Sequence, residues 1–173
     1  MINVRIKIGS NGTIKDTKDY GLIFISSDNR VGNDSKGFES TSYPEQAGEH
    51  IIPKSVDAPF DYTVKFFIDP AKYTTGQTPS LIEVNKVISD FNAELYSQTS
   101  GSDVKEYKKV AFFNDYKGHK IVGYPYPIAE ATDFWRDPKN HLNDVVVVEF
   151  KIRVTNPKDC EYTTPFSDDT SNQ

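Results

Sequence analysis

The stretch Tyr43-Pro44-Glu45-Gln46-Ala47-Gly48-Glu49-His50 places two carboxylates and an imidazole within six residues, the side-chain types of acid–base or metal chemistry. A helical metalloprotease motif holds its ligands one turn apart on a rigid helix. Here Pro44 and Gly48 predict a turn, and His50 enters an extended segment. Glu45, Glu49 and His50 therefore read as the solvated charges of a loop, which is what unaided charged side chains in loops usually are. The other two histidines share no spacing with them: His119 follows Gly118 at an expected hairpin tip, and His141 sits in a polar stretch. Cys160, the single cysteine, would need a base beside it to act as a nucleophile. It falls in a segment expected to be a loose tail, so it reads as a free thiol. No GxSxG elbow, phosphate-binding loop or dinucleotide glycine fingerprint is present. The expectation is a non-enzymatic protein with no catalytic, cofactor or metal residues.

A second chemistry is stacking. The aromatic residues Tyr116, Tyr124, Tyr126, Phe134 and Trp135 lie close in sequence, and ring faces pack on the apolar faces of pyranoses. Tyr124, Tyr126 and Trp135 thus suggest an aromatic surface for glycans, and a carbohydrate-binding β-sandwich module is the alternative reading of the chain. Aromatics beside prolines in long loops equally close the end of a sandwich or form a protein interface.

Composition narrows the field. The 173 residues suit one domain, and 13% aromatic residues supply a core from few positions. A net charge of −5 opposes the basic footprint of a nucleic-acid binder. One cysteine excludes an intrachain disulfide and a cysteine-based zinc cluster. MINVRIKIGSNG alternates where a signal peptide would be continuously apolar, and no segment reaches membrane-spanning length.

The elements that would position these residues are mostly strands. Ile2, Val4, Ile6 and Ile8 alternate with polar residues and predict a first strand. A second is expected from Tyr20 to Ser26, where GLIFIS is apolar on both faces and should be covered on both. Residues 27 to 49 are rich in turn formers and predict an extended loop or a short exposed hairpin. Phe60, Tyr62, Val64, Phe66 and Ile68 share one face of a strand with period two. One helix is predicted over about 80–98, with Leu81, Val84, Ile88, Phe91 and Leu95 on one stripe and a capping box from Ser80 to Glu83. KVAFFN and KIVGY, residues 109–114 and 120–124, flank a turn and predict a hairpin. Tyr124-Pro125-Tyr126-Pro127 is expected outside any central strand, because proline lacks the donor that the ladder needs. Residues 129 to 144 read as a polar loop, and VVVVEFKIRV, residues 145–154, as a last strand buried on both faces at its start. The fold class is mainly β with one α-helix: an antiparallel β-sandwich or half-open barrel with a single amphipathic helix packed against it. The domain is expected to span 1–157, with 158–173 as a polar, disordered C-terminal tail.

The order of these elements resembles that of a known family. Residues 43–50 followed by Phe60-Asp61-Tyr62-Thr63-Val64-Lys65-Phe66-Phe67-Ile68, then the helix, the hairpin KVAFFNDYKGHKIVGY and VVVVEFKIRVTNP, resemble the N-terminal domain of distal tail proteins of long-tailed phages, related in fold to tail-tube proteins. The resemblance implies a phage or prophage virion structural protein that assembles into a ring, a hexamer in that family, at the tail tip. It implies contacts with other tail or baseplate proteins, and no nucleic acid, membrane or cofactor. The implied location is the virion tail, reached from the cytoplasm of a bacterial host without a signal peptide. In that reading Tyr43, Glu45, Glu49 and His50 belong to an interface. Longer members of the family carry a second, often carbohydrate-binding or adhesive, domain for which this chain is expected to have no length.

Overall fold

A computed structural model describes residues 4–29, 39–42, 49–52, 57–69, 81–98, 101, 103–135 and 145–162. The alternating N-terminal segment forms β1 (Val4–Ile8), followed by β2 (Ile14–Asp16). The apolar segment after it is shorter than expected. Thr17–Tyr20 forms a 3-10 turn capped by the Asp16 carboxylate, which accepts from Lys18 N at 3.0 Å. Gly21 ends this turn with φ 77°, a left-handed conformation that a side chain would strain. Strand β3 therefore runs from Leu22 to Ser27. Next come β4 (Glu39–Ser42), β5 (Glu49–Ile52) and β6 (Phe60–Ile68). Helix α1 (Leu81–Glu94) leads into β7 (Tyr96–Gln98) and β8 (Lys105–Tyr107). The chain continues through β9 (Val110–Asn114), β10 (His119–Tyr126), β11 (Ala131–Trp135) and β12 (Val145–Val154).

The strands pair antiparallel along one path, β2-β1-β9-β10-β12-β6-β3, with β11 also on β12. The path bends at β10. His119 to Gly123 pair with β9, whereas Tyr124 to Tyr126 pair with β12. Gly123 stands at the change of partner, and a Cβ there would lie 2.4 Å from the Arg153 carbonyl oxygen, so only glycine permits this approach. The bend brings the two halves face to face as a sandwich. Phe112 of β9 meets Tyr62 and Phe66 of β6, each at 6.3 Å between centroids. The fold class read from the sequence is the one observed.

The predicted faces build one core. On β6 the five residues Phe60, Tyr62, Val64, Phe66 and Ile68 are all buried, and their partners Val148, Phe150, Ile152 and Val154 of β12 are buried beside them. Val4, Ile6 and Ile8 face them from β1 together with Val110, Phe112 and Ile121. Val84, Ile88, Phe91 and Leu95 of α1 join the same cluster, with the Phe91 ring edge-on to Phe150 at 5.3 Å and to Tyr20 at 5.4 Å. The helix thus shares the core with both sheets. Ser80, the expected cap, lies outside the described residues.

Five expectations are corrected. Strand β3 is not covered on both faces throughout: Leu22 is buried, Ile23 is half-buried, and Ile25, at a bulge between Phe24 and Ser26, is 45% exposed. The helix stops at Glu94 and does not reach 98. Lys108 N donates to Leu95 O at 2.8 Å and Tyr96 pairs with Tyr107, so β pairing takes over the last predicted turn. Pro125 does lie in a strand. It is tolerated because β9 ends opposite Gly123, and beyond that point β10 has its ladder to β12 alone. Residues 131–135, expected as loop, form β11. Strand β12 is ten residues long and β10 covers only its second half, so β11 meets the backbone groups of Val145 to Val148 that would otherwise lack partners. Finally, the chain from Pro157 to Tyr162 is docked. Cys160 is buried, its sulfur accepts from Val122 N at 3.3 Å, and Glu161 exchanges two backbone hydrogen bonds with Lys120 at 2.8 and 2.9 Å. Residues 163–173 lie outside the described residues.

Candidate functional site

Two polar regions are built on β10, one at each end. At its start, the two-residue alternation that buries Ile121 also turns His119 inward, leaving it 3% exposed. In register with it on β9 is Asn114, which is fully buried. The Tyr62 hydroxyl donates to Ser27 Oγ at 2.9 Å and stands 3.0 Å from His119 Nδ1. With the tyrosine proton given to serine, Nδ1–H of the imidazole donates to the phenolic oxygen. Asn114 Nδ2 donates to the same Ser27 Oγ at 3.0 Å, and its Oδ1 accepts from Tyr116 N at 3.1 Å. Lys117 Nζ donates to the carbonyls of Ser27 and Asp28. Asp28 Oδ2 in turn accepts from Thr63 N at 2.7 Å. The His119 ring also packs edge-on against Tyr62 and Tyr162, at 5.9 and 5.3 Å.

Serine and histidine suggest nucleophilic chemistry, but the geometry gives a different use. Ser27 Oγ receives two hydrogen bonds and its nearest acceptor is the Asp28 carbonyl at 3.5 Å, so no base is placed to take its proton. What the cluster does is join β3, β6 and the β9–β10 turn through hydrogen bonds and hold the docked C-terminal segment against them by the His119–Tyr162 ring contact. Sequence reasoning put His119 at a hairpin tip beside Gly118, which is where it lies, but did not read its burial. The signal was there in the alternation of β10, continued back from Ile121.

At the other end of β10 the same alternation turns Tyr124 and Tyr126 outward, 45% and 46% exposed. They stand opposite Arg153 and Lys151 of β12. The outer face continues as a lattice of ion pairs: Arg153 to Asp61 at 3.2 Å, Lys65 to Glu149 at 3.4 Å and Lys151 to Glu149 at 3.9 Å. Beside Tyr126 an open groove of about 210 Å³ is lined by Pro127, Ala129, Glu130, Glu149 and Lys151. Its outer rim is anchored from below. Ile128 is buried, and its backbone N and O are both bonded to the Asn92 amide of α1, at 2.9 and 2.8 Å.

The remaining predicted residues are placed as follows. Tyr43 and Glu45 lie outside the described residues. Glu49 and His50 lie on β5, opposite Ser42 and Thr41 of β4 in an antiparallel pair, and residues 43–48 between them lie outside the described residues. Trp135 lies on β11 opposite Val145, six positions along β12 from the partner of Tyr126. At a rise of about 3.3 Å per residue that separation is roughly 20 Å, so the two tyrosines form one locality and Trp135 belongs to another. Among the described residues no group of three histidine, cysteine or acidic side chains is arranged to hold a metal ion.

Burial and a close partner shift two of the described ionisable groups, Tyr20 and Lys109. The Tyr20 phenol is raised above its ordinary value, chiefly by burial, against a lowering contribution from Lys15. The Lys109 ammonium is raised by its hydrogen bond to Asp159, 2.7 Å away.

No protein-family model matches this chain, and no curated protein does. Among solved structures it is similar to the SPP1 Dit protein (gp 19.1), described as a paradigm of the hub adsorption apparatus in phages that infect Gram-positive bacteria. The similarity has a TM-score of 0.51 at 12% sequence identity, covering 89% of this chain and 50% of that one. At this identity the likeness is one of fold, and the chain spans half the length of the protein it matches. Among the described residues no helix is long and apolar enough to cross a membrane.

Proposed function

We propose that this protein is a structural subunit of a phage or prophage tail, non-enzymatic, which assembles into a ring at the tail tip and contacts neighbouring tail or baseplate proteins. The observation that carries the reading is the likeness of fold to the Dit hub protein over 89% of the chain. The resemblance in the order of sequence elements supports it from a separate direction, as does the use of the Ser27–Tyr62–His119 cluster for structure instead of catalysis.

In this reading residues 27 to 50, whose first two, Ser27 and Asp28, stay tied to β6 and the β9–β10 turn, form with the β4–β5 pairing an arm that reaches a neighbouring subunit, and Tyr43, Glu45, Glu49 and His50 are interface residues. A two-stranded ribbon is marginal in water by itself, so a partner surface would complete it. The ring has six subunits, sits in the virion tail and is assembled in the bacterial cytoplasm. Limited proteolysis tests the arm. The expected result is cleavage within 27–50 in the dilute monomer and protection in the assembled particle; equal protection in both states removes the arm from the account.

A further inference from the structure

We propose that the groove beside Tyr126 is a binding site for a neutral saccharide, a role separate from assembly. One wall is the exposed ring of Tyr126, a flat apolar face of the kind that packs on the C–H face of a pyranose. The others carry the carboxylates of Glu149 and Glu130 and the ammonium of Lys151. Glu149 is already matched by Lys65 at 3.4 Å and Lys151 at 3.9 Å, so two lysines and two glutamates cancel locally. An ion would gain little there. A vicinal diol gains from both signs, because one hydroxyl donates to a carboxylate while its neighbour accepts from an ammonium.

The groove is also preorganised, which an exposed tyrosine alone is not. Its floor is strand backbone of β10 and β12, and its outer rim is fixed by the reciprocal Asn92–Ile128 hydrogen bonds. Its volume of about 210 Å³ suits one sugar ring with its ends open for chain extension. A single monosaccharide of about 12 non-hydrogen atoms in so open a site binds with a Kd on the order of 1 mM. Several copies carried on one particle would strengthen attachment to a polysaccharide surface by avidity.

The test is saturation-transfer difference NMR on the full chain with a panel of methyl glycopyranosides: glucoside, galactoside, N-acetylglucosaminide and rhamnoside. The expected result is transfer to the ring protons of at least one member. Tyr126→Ala should weaken it by about tenfold or more, Tyr126→Phe should retain it because the ring face is what is used, and Glu149→Gln should weaken it. Tyr116→Ala, which removes an exposed tyrosine at the β9–β10 turn, should leave it unchanged. Absence of transfer from every member, transfer that survives Tyr126→Ala, or displacement of the groove's signals by a lysine-rich peptide and by no glycoside would each overturn the proposal. None of these outcomes bears on ring formation, which is read from sedimentation.

Discussion

Strand β10 carries a polar site at each end, and the two differ in what surrounds nearly the same chemistry. At His119 the tyrosine, asparagine and imidazole are buried, the serine is half-buried, and they spend hydrogen bonds on one another. At Tyr126 the ring, carboxylates and ammonium face water beside a groove. A polar group removed from water without a partner costs much more than an exposed one that loses a partner. The inner site is therefore a structural joint whose disruption should be felt as stability. The outer site should be nearly silent in stability and should show itself only in binding.

Variants that separate the two ends rank by size. As a reference for the core that both share, Phe91→Ala removes a ring packed on Phe150 and Tyr20 and should cost about 3–5 kcal/mol, seen as a lower urea midpoint. Tyr62→Phe keeps the ring but takes a hydrogen bond from both Ser27 and His119, and should cost about 1–3 kcal/mol in the same assay. On the outer face, Arg153→Ala breaks a pair with Asp61 in which both side chains are more than 40% exposed, and should cost less than about 1 kcal/mol. If Arg153→Ala cost more than Tyr62→Phe, the contrast between the two ends would be wrong.

The smallest expected effect is on alkaline stability. Asp159 raises the Lys109 ammonium above its ordinary 10.5, so the stabilisation is fully present below that value and is lost as pH rises through the raised one. Tyr20, raised above 10.0 mainly by burial, acts in the same direction, because its phenolate is disfavoured only in the folded chain. The melting temperature should fall as pH rises above about 10, and less steeply in Lys109→Met than in the parent.

The apolar alternation made β1, β6, β9, the first half of β10 and β12 legible in the sequence, because a buried face repeats every two residues and a helix stripe every three or four. What stayed hidden was decided by pairing. Pro125 is acceptable only because β9 has already ended, and Ala131–Trp135 is a strand only because half of β12 would otherwise be unpaired. Cys160 is buried because Lys120 has a free edge for Glu161 to meet. The outer site was half legible. Tyr124 and Tyr126 were found as exposed aromatics, but Glu149, Lys151 and Glu130 come from two other segments, and nothing in their spacing brings them to Tyr126. His119 was placed correctly beside the hairpin turn, but its burial was not read, because the face it takes is set by the alternation through Ile121.

Sedimentation velocity of the purified chain across a concentration series, with electron microscopy of the same samples, tests the proposed assembly role most directly. The account predicts closed rings of uniform copy number, six subunits in each, that add to tail particles lacking this protein. A species that stays monomeric at every concentration and fails to associate with such particles would contradict it.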